Sequence, residues 1–116
     1  DIEVSIRRLD KFRYPSVWLS LTDAVDQKWP EDHLPEFEVM GGEGDYWIAC
    51  SINGFQQRRY CVPEQGDKVI DVWTSDQGFS DKHMYICHDL SVVLDATSYF
   101  CEHAGFAPFI SWEQAS

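Results

Sequence analysis

Apolar residues recur at helical spacing in the segment that begins near residue 90. The members of this set are separated mostly by steps of three or four and so share one helical face: Val93, Ala96, Thr97, Phe100, Cys101 and Ala104. Asp89 or Ser91 can cap the start of the helix, because either side chain accepts hydrogen bonds from the free backbone amides of a first turn. The pattern therefore predicts one amphipathic helix.

A glycine and a proline follow this predicted helix. Gly105 can adopt the left-handed conformation that ends a helix, and Pro108 cannot continue one. Phe109, Ile110 and Trp112 then form a short apolar run, which predicts a final strand.

The first thirty residues predict a strand and a second helix. Ile2, Val4 and Ile6 alternate with polar residues, which is the period of a half-buried strand. Residues 16–29 place apolar side chains at helical spacing, and Pro30 ends the segment. The face of this helix would consist of Val17, Leu21, Ala24, Val25 and Lys28.

Short strands are predicted throughout the middle of the chain. Apolar or alternating segments lie between turn signals, and we expect strands at 35–40, 46–52, 56–62, 69–73 and 83–87. Asn53-Gly54 is a strong hairpin signal between two of them. Glycine-containing segments at 41–44, 65–67 and 77–78 mark the other turns.

This order of elements predicts an α+β fold: an antiparallel sheet of about five to six strands with two helices packed on one face. The helices would bury the apolar face of the sheet, and the other face would meet water or a partner. One domain, residues 1–116, is long enough to bury a core without metals or disulfides.

The composition is that of a folded domain. Hydrophobic residues make up 44% of the chain and aromatic residues 15%, which excludes disorder. No apolar run approaches the ~20 residues needed to cross a bilayer, and no charged-then-apolar leader opens the sequence. We therefore expect a cytoplasmic protein.

The charge balance narrows the class of partner. The net charge is −11, from 20 acidic and 9 basic residues. Nucleic acids and anionic membranes are poor partners for such a chain, because they are bound through lysine and arginine. The balance favours a basic protein partner captured quickly at low salt; simple solubility is the alternative explanation.

The four cysteines are expected to be buried thiols. Cys50, Cys61, Cys87 and Cys101 lie among apolar neighbours, and no pair has C-x-x-C spacing. Free cysteine behaves as a small buried hydrophobe, so reduced core thiols are the first expectation. Two disulfides in an oxidising compartment are the alternative.

Candidate catalytic and metal-binding groups lack a specific pattern. His83, His88 and His103 could join Cys87 and Cys101 in a zinc site, but adjacent residues of a strand point to opposite faces. The cysteines lie in no nucleophile signature, and residues 41–44 lack the Gly-Lys-Ser/Thr of a phosphate loop. The sequence therefore predicts no metal, no cofactor and no enzymatic activity.

Carboxylates interleaved with aromatic side chains are the best candidates for a contact surface. Asp71 and Trp73 fall on one side of a predicted strand with Val72 inward, and Asp76 follows. Aromatic anchors ringed by charge suit an interface with a basic protein. Four further acidic residues are candidates: Glu36, Glu38, Glu43 and Asp45. The alternative is that the aromatic rings are core and the acids a solvated surface.

The C-terminal segment also carries a motif. Its residues are Ala96, Tyr99, Phe100, Cys101, Gly105, Pro108, Ile110, Trp112 and Glu113. The segment resembles the end of the first numbered immunity family of bacterial polymorphic-toxin systems, which typically closes with Ala-x-x-Phe-hydrophobic and then Gly-x-x-Pro-x-hydrophobic-x-Trp. The motif covers about a fifth of the chain.

The resemblance implies an immunity protein that binds and neutralises a cognate toxin. Toxins of that family's systems are often nucleic-acid deaminases, and a toxin that grips DNA or RNA is basic. We expect a 1:1 complex in which this acidic chain occludes the toxin's basic surface without doing chemistry. An acidic adaptor for another basic protein is the alternative, and a small enzyme using Cys and His is the third.

Overall fold

The computed structural model describes residues 2–14, 16–20, 35–52, 57–74 and 78–114 and has an α+β fold. The helices are α1 (Ile2–Arg7) and α2 (Leu90–His103). The strands are β1 (Ser16–Ser20), β2 (Glu36–Gly42), β3 (Asp45–Ser51), β4 (Gln57–Tyr60), β5 (Val69–Trp73), β6 (Phe79–Lys82), β7 (Ile86–Cys87) and β8 (Trp112–Gln114). Single 3-10 turns occupy Pro63–Gln65 and His83–Tyr85.

Six of the strands form one antiparallel sheet in the order β1-β2-β3-β4-β8, with β7 also paired to β3. The sheet and the helices confirm the predicted fold class. β5 and β6 form a separate two-stranded sheet. Within the described part of the chain, no helix is both long and apolar enough to cross a bilayer.

The two faces of the large sheet are both covered. On β2 and β3, alternate side chains such as Phe37, Val39 and Ile48 join α1 and α2 in one cluster, the helix-side core. The intervening side chains, including Met40 and Trp47, join Val72 of β5 in a second cluster, the hairpin-side core. The expectation that the second face meets only water or a partner is therefore wrong for the part of it that the small sheet covers.

Helix α2 begins and packs as the sequence predicts. The Asp89 carboxylate accepts hydrogen bonds from the backbone N–H and the hydroxyl of Ser91, at 3.0 and 2.6 Å. These bonds lower the pKa of Asp89. Four residues of the predicted face are buried: Val93, Ala96, Thr97 and Phe100.

The end of α2 differs from the prediction in two residues. Ala104, not Gly105, adopts the left-handed conformation, with φ 52° and ψ 41°, and donates its N–H to the Phe100 carbonyl. Cys101 lies at the margin of the helical face and is exposed, while Cys50, Cys61 and Cys87 are buried. All four cysteines are free thiols.

The N-terminal predictions are wrong where the structure describes them. Residues 2–7 form a helix, in which Ile6 is buried, Ile2 and Val4 are exposed, and Arg7 pairs with Glu3 one turn away at 2.8 Å. Residues 16–20 form a strand rather than the start of a helix. The rest of the predicted helix, residues 21–29, lies outside the described residues.

Smaller differences concern the strand boundaries. Gly41 and Gly42 belong to β2, and the turn lies at Glu43 and Gly44. The single strand expected at 83–87 is instead a 3-10 turn followed by the two residues of β7. The turn predicted at Asn53-Gly54 lies outside the described residues, but β3 and β4 are antiparallel neighbours as expected.

A close backbone contact fixes the chain that links α1 to β1. Asp10 bridges to Gly42, and the Asp10 carboxylate accepts backbone N–H bonds from Phe12, Arg13 and Tyr14 at 2.8–3.1 Å. A Cβ atom at Gly42 would overlap the backbone of Leu9 and Asp10, and φ there is +137°. The linking segment can therefore lie against β2 only because residue 42 has no side chain.

Replacing Gly42 with alanine tests this contact. Gly44 is a matched control, because its φ is +91° but a Cβ atom there would meet no atom within 4 Å. We expect Gly42→Ala to lower the free energy of unfolding by about 3 kcal/mol or more and Gly44→Ala by about 1–2 kcal/mol. Urea unfolding followed by tryptophan fluorescence measures both; equal losses would contradict the steric explanation.

Truncating Phe100 tests the contribution of α2 to the helix-side core. Its ring is fully buried and packs on Phe37 with 5.3 Å between ring centroids. We expect Phe100→Ala to cost about 3–5 kcal/mol, enough to unfold a marginal domain. Ser98→Ala, at an exposed position of the same helix, should change the free energy of unfolding by less than about 0.5 kcal/mol in the same urea titration.

Candidate protein-binding surface

An acidic patch with an aromatic neighbour lies where the small sheet leaves the large sheet uncovered. Trp18 on β1 is opposite Glu38 on β2, so both side chains point to the same face, and Glu36 follows two residues away on that face. Trp18 is 66% exposed. We call Trp18, Glu36 and Glu38 the acidic patch; they line a shallow depression together with Ser51 and Gln57.

The ionised Glu38 carboxylate of the acidic patch is held at an energetic cost. Burial raises the pKa of Glu38, and the nearby Glu36 carboxylate raises that pKa further. Within the ranges that the structure describes, neither residue forms an ion pair. A half-buried carboxylate beside a second one favours a cation supplied from outside those ranges.

A row of side chains runs across the strands from Glu38 to Glu113, and at its far end the charges of Arg59 and Glu113 neutralise each other. Ala49 lies between Glu38 and Arg59, and Arg59 lies opposite Glu113. The Arg59 guanidinium is 3.1 Å from the Glu113 carboxylate and 3.7 Å from that of Asp81. It also lies over the Tyr85 ring, 3.7 Å from the centroid. Arg59 therefore ties the small sheet to the large one.

The predicted contact residues of β5 lie on the small sheet. Val72 is fully buried, as expected, and Asp71 is exposed, with its carboxylate accepting a hydrogen bond from the Ser80 hydroxyl at 2.8 Å. A bulge between Asp71 and Trp73 turns Trp73 partly into the hairpin-side core. Asp71 and Trp73 border an open depression of about 330 Å³. Asp76 lies outside the described residues.

The last two predicted contact residues lie at the β2–β3 turn. Glu43 is exposed, with φ 54°. Asp45 is engaged internally, because Lys11 Nζ lies 2.6 Å from one carboxylate oxygen and His88 Nδ1 lies 3.0 Å from the other. A partner would therefore compete with Lys11 and His88 for Asp45.

This turn also contains a cluster that the sequence did not reveal. His88 Nε2 is 2.6 Å from His83 Nε2, so the chain Lys11, Asp45, His88 and His83 is continuous. The cluster joins the loop after α1, the β2–β3 turn and the segment before α2. These residues are far apart in sequence, and only the tertiary fold brings them together.

The predicted site residues thus fall into three separate sets. Glu36 and Glu38 lie at one end of β2, and Glu43 and Asp45 lie at the β2–β3 turn at the other end, roughly 13–20 Å away at ~3.3 Å per strand residue. Asp71 and Trp73 lie on the small sheet. Trp18 completes the first set. The apolar spacing predicts a helix over residues 16–29, so the sequence does not indicate that Trp18 lies on a strand beside Glu38.

The described residues include potential metal ligands and four thiols. No group of three or more His, Cys, Asp and Glu side chains among them is placed to hold a metal ion. Burial raises the pKa of the Cys50 thiol to about 12, and it also raises that of the exposed Cys101, beside Glu102. These thiols are therefore largely protonated at neutral pH and are poor nucleophiles.

Comparisons of the chain with sequence profiles of protein families, with curated proteins and with solved structures found no match.

We predict that removing one charge from the acidic patch raises the free energy of unfolding by an amount that depends on pH. A raised pKa means that ionised Glu38 disfavours the folded chain, so Glu38→Gln should increase the free energy of unfolding at pH 7. The gain should disappear as the pH falls below the ordinary value of 4.5, where Glu38 is protonated in both states.

Urea titrations at several pH values between 4 and 7 measure this gain. Glu64→Gln, at an exposed position, is the control and should leave the free energy of unfolding nearly unchanged. A loss of stability in Glu38→Gln at pH 7 would show that the Glu38 charge is compensated in the free chain.

Proposed function

We propose that this chain is an immunity protein that binds a basic bacterial toxin and neutralises it by covering its basic surface. The acidic patch is the observation that carries the proposal. Its two carboxylates lie beside the exposed Trp18 ring, and Glu38 is partly desolvated next to Glu36. Such a surface is complementary to a lysine- or arginine-bearing protein.

Binding a cation would lower the electrostatic energy of the acidic patch. In the free chain the carboxylates repel each other across a partly buried space, which costs stability. A partner's guanidinium or ammonium placed between them removes that repulsion and gains charge-assisted hydrogen bonds. Trp18 can contribute apolar contact area beside these bonds, as aromatic residues do at the centre of tight interfaces. The net charge of −11 would also accelerate encounter with a basic partner.

Several residues of the C-terminal motif belong to the core rather than to the surface. Ala96 and Phe100 of α2 are buried, and so is Ile110. The Trp112 indole donates a hydrogen bond to the Ala107 carbonyl at 2.9 Å. These residues maintain the fold. The residues that would select a partner must therefore lie elsewhere, and the acidic patch lies on the opposite face of the sheet.

The proposed partner is a toxin acting on nucleic acid, with a deaminase as the first candidate from the resemblance. The complex would contain one copy of each protein, in the cytoplasm of the bacterium that makes both. Asp71, Trp73 and Asp76 remain proposed contacts, together with Glu43 and Asp45. An acidic adaptor that binds several basic proteins more weakly is the competing function.

Affinity capture from a lysate of that bacterium, at low and high salt, tests the proposal. We expect one basic protein, identified by mass spectrometry, that remains bound at moderate salt. Its expression alone should stop growth of a bacterial host, and co-expression of this chain should restore growth. Several weakly held proteins, or a single partner without toxicity, would contradict the proposed function.

Charge reversal locates the interface. Glu36→Lys with Glu38→Lys should weaken binding of the captured toxin by roughly 30-fold or more and abolish growth rescue, because like charges then face each other. The matched control is Asp95→Lys with Glu102→Lys, which changes the net charge equally at exposed positions of α2. Asp71→Lys tests the small sheet separately. Equal weakening by patch and control variants would mean that only the net charge matters.

A further inference from the structure

Strand β1 is an outer strand of the large sheet within the part of the chain that the structure describes. It pairs with β2 on one side, and among the described residues no strand pairs with its other side. The backbone N–H and C=O groups of that outer edge can therefore accept another strand. Side chains alternate along β1, with Val17 and Leu19 half-buried and Trp18 exposed.

The five residues of β1 themselves carry none of the side-chain or pairing features that usually block strand addition. Proteins protect edge strands with charged side chains, proline or a bulge. Ser16–Ser20 contains only serine, valine, tryptophan and leucine, and its pairing with β2 is regular over all five residues. At the other end of the sheet, β8 is three residues long and carries Glu113.

We propose that β1 binds an extended strand of a basic protein partner, which lengthens the sheet by one strand. The inference rests on the proposed function and specifies how the partner is held. The added strand alternates lysine or arginine on the Trp18 side with small apolar residues on the Val17 side. Backbone hydrogen bonds to β1 provide affinity, and the alternating side chains provide specificity.

The Trp18 side of the edge suits a cation. A residue of the added strand opposite Trp18 lies ~4.8 Å from β1 and roughly twice that distance from β2. A lysine or arginine side chain can cross the exposed Trp18 ring, which attracts cations, and reach Glu38 directly behind it. Glu36 lies on the same face and adds to the negative potential.

The Val17 side of the edge suits a small apolar residue. Val17 and Leu19 pack against the helix-side core. Beside them, an open groove of about 300 Å³ is lined by Ser5, Arg8, Tyr14, Ser16 and Val17. The Arg8 guanidinium lies 4.8 Å from the Tyr14 ring centroid and disfavours a second cation there. The two sides of the edge therefore select opposite kinds of side chain.

Charge decides between a basic partner and a second copy of this chain. Two copies paired antiparallel through β1 would place both acidic patches on one face of the combined sheet, each next to the other's Trp18. With a net charge of −11 on each copy, this arrangement is repulsive. The same carboxylates attract a basic strand.

An eight-residue peptide that alternates lysine and valine is the probe. Titration of the full chain, followed by calorimetry and amide chemical shifts, should give saturable 1:1 binding with shifts centred on Val17, Trp18 and Leu19. A peptide with glutamate in place of lysine should not bind, because it is repelled by the patch. The lysine–valine peptide N-methylated at every residue should not bind either, because it cannot donate backbone hydrogen bonds.

Protein variants separate edge binding from non-specific charge attraction. Glu38→Gln should weaken peptide binding about tenfold, as expected for loss of one charge-assisted bond. Trp18→Thr retains a strand-forming residue and should weaken binding several-fold through loss of the aromatic ring. Asp95→Asn on α2 is the control and should bind as the unaltered chain does. Glu38→Gln is the decisive variant, since it should be at least as stable as the parent.

The outcomes distinguish this inference from the proposed function. Four outcomes would overturn strand addition. The first two are equal binding of the N-methylated peptide and chemical-shift changes centred away from β1. The other two are no peptide binding at millimolar concentration and a homodimer paired through β1. If the Trp18→Thr and Glu38→Gln variants neutralise the captured toxin as well as the unaltered chain does, the immunity function stands, but the toxin does not bind through the β1 edge. If the peptide binds as expected but no captured protein is toxic, the edge stands and the immunity function fails.

Discussion

Burial of strand β3 on both faces is the constraint on which the rest of the fold depends. Every side chain from Tyr46 to Cys50 is buried, so β3 needs an apolar layer above and below it. The helices provide one layer through Phe100 and its neighbours, and the β5–β6 sheet provides the other through Val72. Because the small sheet is too short to cover all of the second face, Glu36 and Glu38 lie at a part that it does not cover.

The sequence predicted the central strands because their apolar runs are long and bounded by turn residues. It failed at residues 2–6, where Ile2 and Ile6 are separated by four positions, a spacing that fits one helical turn and two strand repeats equally well. At residue 17 the spacing to Leu21 favoured a helix, but pairing with β2 determined the structure. Local periodicity cannot report such tertiary pairing.

The candidate surface was predictable only in part for the same reason. The Asp71–Val72 alternation is local, and the structure places Val72 inward as expected. Whether a carboxylate is already neutralised depends on cations distant in sequence. Lys11 reaches Asp45, while the described residues bring no cation to Glu38. The three acidic sets therefore look alike in sequence. They differ in whether a cation of the same chain lies beside the carboxylate, and only the structure shows which carboxylates are available to a partner.

The pairing of β4 with β8 has a consequence for how the chain folds as it is synthesised. Tyr60 pairs with Trp112, so the sheet cannot be completed until the ribosome has released residues near 112. Until then, β4 presents an unpaired edge, and the apolar face of β3 lacks α2. Folding should therefore be slow for a domain of this size, since contacts between distant residues must form together. Chaperone binding during synthesis would shield β3 and β4 in that interval.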